Sequence, residues 1–447
     1  MTDASLDELY LEHLHTLMRR TDVALAAGGF DALVIHAGRP PVQFLDDQDY
    51  PFKVNPHFKA WVPILDTPHC VLIHRPGSRP TLLFHQPDDF WHKPSPLPRA
   101  PWTAAWEVIA MADPRTAGSH WATLGRVALI GPLSDTEAGA TEVLNDAALL
   151  GRLHYDRAVK TAYELECMRR ANDLGARGHE AAVAAFRAGA SEYEVHLRYL
   201  EACAQREEEL PYNNIVAYNE NAAVLHYQHL ERRAPAQRRS FLIDAGAQYL
   251  GYAADITRTY AAAAGRFADL IERLNVAQQR LCDEIVPGRD YRDVHLSAHR
   301  LLGEVMHDIG LIRVSGEAAL DRGVTGVFFP HGIGHLLGLQ VHDVGGIMGD
   351  GSGGERRRPE GHPALRLTRM LEPGVVVTVE PGVYFIDSLL RAAHQGPARD
   401  AIDWTVVEEL RACGGIRIED DVATTATLPE NLTRDAFARL ARGRMLT

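Results

Sequence analysis

The rhythm of apolar and polar positions changes along this chain of 447 residues. Near the start, Leu6, Tyr10, Leu14 and Leu17 recur at the helical interval in MTDASLDELYLEHLHTLMRR and fall on one face, which predicts an opening helix. Short apolar runs follow: DALVIHA, HCVLIH, PTLLFH and VALIG. They are bounded by turn-forming residues and predict strands alternating with helices. Between the first two runs, residues 45–61 (LDDQDYPFKVNPHFKAW) are polar and aromatic without any period. That stretch predicts a long loop, of the kind that often carries function.

Near residue 155 the pattern shifts. Thr161 with Glu164 three residues on makes a capping-box pair, and the amphipathic stretch behind it predicts a long helix closed by Gly189. From there helical stretches alternate with the β-prone segments SFLIDAGAQYLGYAADITRTYA, GVVVTVEPGVYFI and GGIRIEDDVATT. The expected architecture is α/β (α+β) in two domains, 1–158 and 159–447. The run GDGSGGERRRPEGHPALR predicts a loop interrupting the second domain.

Composition narrows the function classes. The length favours two or three domains over one core. A hydrophobic content of 46% and a charged content of 23% are those of an ordinary soluble globular protein. The net charge of -13 argues against a nucleic-acid partner, whose phosphates repel such a surface. No apolar run reaches the roughly 18 to 20 residues of a membrane span. The acidic N-terminal stretch lacks the hydrophobic region of a signal peptide. The five cysteines (Cys70, Cys167, Cys203, Cys282, Cys413) are scattered without a CxxC pair, which predicts reduced thiols, a cytoplasmic address and no thiolate metal site.

The candidate chemistry sits in the β-prone segments. HGIGHLLGLQVHDVGG crowds His331, His335 and His342 into a stretch that otherwise reads as core. They are either hydrogen-bonding core histidines or they face one chemical centre. Asp244 and Asp255 flank a Gly-Tyr turn region, and a hairpin turning at Tyr249–Leu250 would set them directly opposite each other. Two like charges so placed are destabilising without a cation between them. In GVVVTVEPG, Val375, Val377 and Val379 share one strand face, while Val376, Thr378 and Glu380 share the other. In GGIRIEDDV, Ile416 and Ile418 alternate with Arg417 and Glu419. Singly, these acids read equally well as turn, capping or strand-end residues. Together, four acids and one histidine offer oxygen donors and one nitrogen. That set suits a pair of divalent ions such as Mn²⁺, with Co²⁺, Zn²⁺ or Mg²⁺ as competitors. Two ions about 3.5 to 4 Å apart around a shared water are a common hydrolytic device.

The segments DAGAQYLGYAADITRT, HGIGHLLGLQVHDVGG, TVEPGVYF and GGIRIEDDV, in that order, resemble the pita-bread metallopeptidases, the family of methionine aminopeptidase, aminopeptidase P, creatinase and prolidase. Within it the chain is most similar to the bacterial prolidase (Xaa-Pro dipeptidase) branch and the related organophosphorus acid anhydrolases. The resemblance covers nearly the whole chain. It implies a creatinase-like N-terminal α/β domain that helps form a homodimer, followed by a pita-bread catalytic domain. It further implies hydrolysis of Xaa-Pro dipeptides by a hydroxide bridging two metal ions, with release of proline.

The resemblance also implies the site. Asp244, Asp255, His335, Glu380 and Glu419 would be the metal ligands. Glu380 would also move the water's proton to the leaving nitrogen. His342 and His226 would be catalytic, His342 stabilising the tetrahedral intermediate. His331 would line the pocket, and Arg417 would orient Glu419 and contact the substrate. Arg366, in HPALRLT, would grip the substrate carboxylate through a bidentate pair. Asp46 in the 45–61 loop, with Asp47 and Asp49 beside it, is the candidate acceptor for the substrate amine, from its own chain or from a partner subunit. Tyr212 and Tyr291 would line the substrate pockets, while His229 and His295 read as bystanders. Organophosphorus triesters would be side substrates, because a tetrahedral phosphorus mimics the peptide transition state. Two alternatives remain. Aminopeptidase P shares these residues and cleaves longer peptides. An inactive binding protein on the same fold is disfavoured by the intact ligand set.

Overall fold

Ser5 and Glu8 form a reciprocal capping box at the start of the helix Leu6–Gly28, and Gly29 ends it in the left-handed conformation at φ 66°. Tyr10 and Leu14 on the expected face are buried. This is a computed structural model that describes residues 5–91, 93–133 and 142–445. The chain divides into two compact units: Met1–Glu166 with Asp350–Gly354, and Cys167–Gly349 with Glu355–Thr447. The sequence reading put the division at 158/159 and left 350–354 in the second domain.

The first unit holds a mixed six-stranded sheet. Its strands are β1 (Ala32–His36), β2 (Val71–His74), β3 (Thr81–His85), β4 (Glu107–Met111), β5 (Val127–Ile130) and β6 (Glu142–Leu144), in the order β4-β3-β2-β1-β5-β6. β1 runs antiparallel to β2 and parallel to β5. The four apolar runs are β1, β2, β3 and β5, and β2 and β5 are buried throughout. The sequence reading did not single out β4 and β6. It also overextended the loop at 45–61: Pro56–Trp61 is a helix, with the Asn55 side chain accepting from the His57 N–H at 3.0 Å and proline in the first turn.

The helix Ala162–Ala188 begins as predicted. The Thr161 N–H donates to Glu164 Oε2 at 2.8 Å, and the Glu164 N–H donates back to Thr161 Oγ1 at 3.4 Å. Gly189 follows it at φ 95°.

The second unit is built from short antiparallel sheets. β7 (Ile215–Tyr218), β8 (Ser240–Asp244) and β11 (Thr257–Ala261) form one, in the order β11-β8-β7. β9 (Gln248–Tyr249) and β10 (Tyr252–Ala253) form the hairpin tip between β8 and β11. β12 (Val376–Val379), β15 (Asp420–Ala423) and β16 (Glu430–Asn431) form another sheet, and β13 (Gly382–Tyr384) pairs with β14 (Gly415–Arg417). Single bridges join these pieces at Thr257–Glu419 and Leu336–Val377. The helix Arg266–Asp283 packs on β11 and β12, Glu192–Cys203 on β7, and Leu432–Met445 on β15. Among the described residues no helix is long and apolar enough to cross a membrane.

Two registers differ from the sequence reading. The hairpin turns at Leu250–Gly251, both at positive φ (48° and 87°), so Asp244 pairs with Thr257 and not with Asp255. A tight turn of this kind needs two left-handed residues, and Gly251 supplies one at no steric cost. The shift is by an even number of residues, so both aspartates stay on one face of the hairpin. GGIRIEDDV is also not one strand. It leaves β14 at Arg417 and enters β15 at Asp420, with Glu419 at the crossing between two sheets.

Candidate metal centre and active site

The cavity floor is assembled where these short strands end. Residues 333–337 run beside β12: the Glu380 N–H donates to the Ile333 carbonyl at 2.8 Å, the Thr378 N–H to His335 O at 3.0 Å, and the Leu337 N–H to Val376 O at 3.1 Å. This irregular pairing brings His335 Nε2 within 3.7 Å of Glu380 Oε1 and 3.5 Å of Asp255 Oδ2. The pairing needs glycine at 334, because a Cβ there would lie 2.1 Å from the Thr378 carbonyl oxygen and 2.4 Å from the Tyr291 hydroxyl. His335 Nδ1 lies 3.0 Å from the Leu336 carbonyl. A proton on Nδ1 donated there leaves the Nε2 lone pair facing the carboxylates, the form a metal ligand takes.

The other acids are equally fixed. The Asp255 N–H donates to Asp421 Oδ2 at 3.1 Å. Thr257 donates its hydroxyl to Glu419 Oε2 at 2.6 Å, and Tyr212 donates its own to Asp244 Oδ1 at 2.7 Å. Arg417 is the buried cation of the group. It donates to Asp244 Oδ2 at 2.6 Å, to the Thr257 hydroxyl at 3.2 Å and to the Tyr384 hydroxyl at 3.0 Å. The sequence reading assigned Arg417 to Glu419 and to substrate. The structure puts it on Asp244, and it reaches Glu419 only through Thr257. The reason is the break after Arg417, which sends the two side chains to different sheets.

The electrostatics call for more positive charge than the protein supplies. Burial pushes the Asp244 carboxyl up against the pull of Arg417, with the Asp255 charge adding to the rise. Burial lifts Glu380 to about 7, with His335 and Arg417 opposing. Glu419 is raised well above the carboxylate range by burial and then by Asp255, Glu380 and Asp244. Burial would raise Asp255 too, but the His335 imidazole 3.5 Å away outweighs that and lowers it. The same contact works in reverse on His335: burial lowers its pKa, yet Asp255 and Glu380 bring it to about 9. Four carboxylates against one guanidinium and one imidazole form a donor set that divalent cations fit. Asp255, His335 and Glu419 each offer a donor atom within 4.8 Å of the others.

Around this floor the chain forms a cavity of about 900 Å³. Its walls bring together His226, His331, His342, Tyr212 and Arg366 with the five floor residues and Arg417. His331 bridges the Gly332 carbonyl (2.8 Å) and the Tyr384 hydroxyl (2.9 Å) and lies 3.6 Å from Glu380 Oε2. His342 stands edge-on to His335, with ring centroids 4.4 Å apart. Burial brings the His331 pKa down to about 3. The His342 ring is only partly sunk in the cavity and still meets solvent, and that partial burial, with the His335 and Arg366 charges adding, lowers it to about 4. His226, His342 and Arg366 are exposed.

One residue falls elsewhere. Tyr291 is fully buried behind the floor, its hydroxyl donating to the Thr378 carbonyl at 2.6 Å, and it is not on the cavity wall. Its charged neighbours Asp290 and Arg292 gave no sign of which side of the wall it takes. Asp46 lies in the first unit, where its Oδ1 accepts from the N–H groups of Asp47 (2.7 Å) and Gln48 (3.3 Å). Arg358 is a wall residue that the sequence reading passed over as a loop arginine; its Nε donates to the Leu365 carbonyl at 2.6 Å. No sequence signal separates it from Arg356 and Arg357. His295 is buried and hydrogen-bonded to His362, as befits a residue outside the cavity.

With this geometry in view, similarity to known proteins is informative. The family profile described as "Xaa-Pro dipeptidase, N-terminal domain" matches residues 8–155, and that of "Metallopeptidase family M24" matches 166–426. A protein of Xanthomonas campestris pv. campestris named Xaa-Pro dipeptidase is 51% identical over 440 residues, 98% of this chain and 100% of that one. Another of that name, from Aeromonas hydrophila subsp. hydrophila, is 50% identical over 442 residues, covering 97% and 99%. Among solved structures, proline aminopeptidase P II from Yersinia pestis superposes with a TM-score of 0.70 at 25% identity, over 96% of this chain and 99% of its own. This likeness matches the expected two-part α/β architecture. The chain belongs to metallopeptidase family M24.

Proposed function

We propose that this protein is an Xaa-Pro dipeptidase. Membership of the family makes it a metal-dependent hydrolase and implies a dinuclear divalent-metal site. Asp244, Asp255, His335, Glu380 and Glu419 are the residues that would hold the two ions, and Mn²⁺ is the ion we assign. When bound, such ions lower the pKa of a shared water and polarise the scissile carbonyl. The protein's own groups do the rest. Glu380, at the cluster edge between His331 and His335, takes the proton of the attacking water and delivers it to the departing proline nitrogen. His342 and His226, on the wall above, donate to the oxyanion as it develops. Arg417 and Tyr212 hold Asp244 in place, and Tyr291 holds the Thr378 backbone behind His335.

The observation that carries the dipeptidase reading is Arg366. Its guanidinium stands exposed on the wall of a carboxylate-floored cavity, with no acid paired to it among the described residues. A substrate's C-terminal carboxylate is the partner such a group would take, in a bidentate pair that also limits substrate length. An Xaa-Pro bond has no N–H for a general peptidase to grip, so terminal recognition takes its place. The relatives named Xaa-Pro dipeptidase, about half identical over nearly the full chain, support the same reading. We further assign Asp46 to the substrate amine, a homodimer as the working form, the cytoplasm as its address and organophosphorus triesters as side substrates.

The test is to follow Ala-Pro and Ala-Pro-Ala cleavage side by side with the Mn²⁺-loaded protein. Cleavage of the dipeptide with little of the tripeptide is expected. Equal cleavage of both would make it an aminopeptidase P type enzyme, and inactivity on both would leave an inactive binding protein. Size-exclusion chromatography with light scattering decides the homodimer.

A further inference from the structure

Outside the carboxylate cavity, three histidines converge. His295 and His299 stand four residues apart on the helix Tyr291–Asp308 and so share a face. His362 comes from the loop that carries Arg366. The ring centroids are 4.7 Å apart in every pair, and one ring nitrogen from each lies within 4.8 Å of the other two. His299 is the informative member. Its Nδ1 is 2.8 Å from the Thr325 hydroxyl, while its Nε2 is buried without a hydrogen-bond partner. A buried polar nitrogen left bare is costly and rare. A ring fixed through its far nitrogen, with the near lone pair free, is how proteins present histidine to a cation.

The other two rings complete the group. His295 Nε2 and His362 Nδ1 lie 2.9 Å apart and share one proton. Ligation through His295 Nε2 would shift its proton to Nδ1. That gives up the long hydrogen bond from the Ile333 N–H at 3.3 Å and sets two donors face to face, so the ring must turn slightly away from that amide. Bonds of about 2.0 to 2.1 Å to a tetrahedral ion place the donor atoms roughly 3.3 Å apart, inside the 4.8 Å within which all three lie.

We propose that His295, His299 and His362 form a mononuclear site for a late first-row divalent cation, Zn²⁺ foremost, separate from the carboxylate-rich centre. Three imidazoles without a carboxylate suit Zn²⁺, Co²⁺, Ni²⁺ or Cu²⁺ and not Mn²⁺ or Mg²⁺. His362 is partly exposed, which gives the ion an entry path and leaves its fourth position to water. An ion there ties the loop of His362 to the helix. The proposal does not depend on the peptidase reading.

The test counts ions. The full-length protein is loaded with Mn²⁺, equilibrated with Zn²⁺, freed of unbound metal, and its total metal per chain measured. The wild type should retain one ion more than His299→Phe. Thr325→Val, which keeps all three ligands, should hold that ion about 10 to 100 times more weakly. With Co²⁺ in place of Zn²⁺, an intense tetrahedral absorption band should appear in the wild type and vanish in His299→Phe. If His299→Phe fails to fold, the Thr325→Val affinity decides. Equal metal counts, or wild-type affinity in Thr325→Val, would overturn the proposal and leave the three histidines as a hydrogen-bond relay.

Discussion

The floor and the rim of the cavity are built on different terms. On the floor, the backbone at Asp255, His335, Glu380 and Glu419 is locked by hydrogen bonds to neighbouring strands or to Asp421. Their carboxylates and imidazole are packed together beneath the surface. On the rim, His226, His342 and Arg366 sit in turns and loops, exposed, with no side-chain hydrogen bond to another described residue. A locked floor keeps charge in place where charge must develop during reaction. An unengaged rim keeps its donors for a ligand that has yet to arrive. Chemistry is expected to fail when the floor or the two rim histidines are altered, and selectivity when Arg366 is.

That contrast can be broken by substitution. Glu380→Gln should lower kcat by about 10²- to 10⁴-fold. The fold should survive, since the Glu380 backbone bond to Ile333 remains; steady-state rates and thermal denaturation check both points. Arg417→Lys should weaken metal affinity by about 10- to 100-fold, because a single ammonium cannot span Asp244, Thr257 and Tyr384. Metal titration of the two proteins reads this. On the rim, Arg366→Ala should raise KM for Ala-Pro by about 10- to 100-fold, the worth of a charged hydrogen bond. It should leave kcat, thermal stability and metal content nearly unchanged. A loss of metal in that variant would erase the distinction between rim and floor. The smallest effect belongs to Tyr291→Phe. Losing its bond to the Thr378 carbonyl should cost about 1 kcal/mol of stability with kcat little altered, as denaturant titration would show.

The two regions were also unequally legible in the sequence. Asp244 and Glu380 stand at the ends of apolar runs, where the period of two already says which way a side chain faces. The glycines around His335 mark a backbone that is closely approached. Register was less accessible. The hairpin turns at Leu250–Gly251, and leucine at φ 48° is not a choice that propensity favours. Arg417 was read with Glu419 because alternation joined them, whereas the chain changes sheets between the two. Tyr291 and Arg358 show the limit most plainly, since which side of a wall a residue takes depends on packing between distant segments. The three-histidine group is a further case. His295 and His299 share a helix face by spacing, but His362 joins them only through tertiary structure.

The most direct test of the floor as a metal centre is to strip the protein with a chelator, add Mn²⁺ back stepwise, and read bound ions and Ala-Pro hydrolysis together. The account predicts no activity in the stripped protein and recovery in step with filling of the dinuclear site, with none regained by Asp255→Asn. Full hydrolysis by the stripped protein, or recovery equally complete in Asp255→Asn, would contradict it.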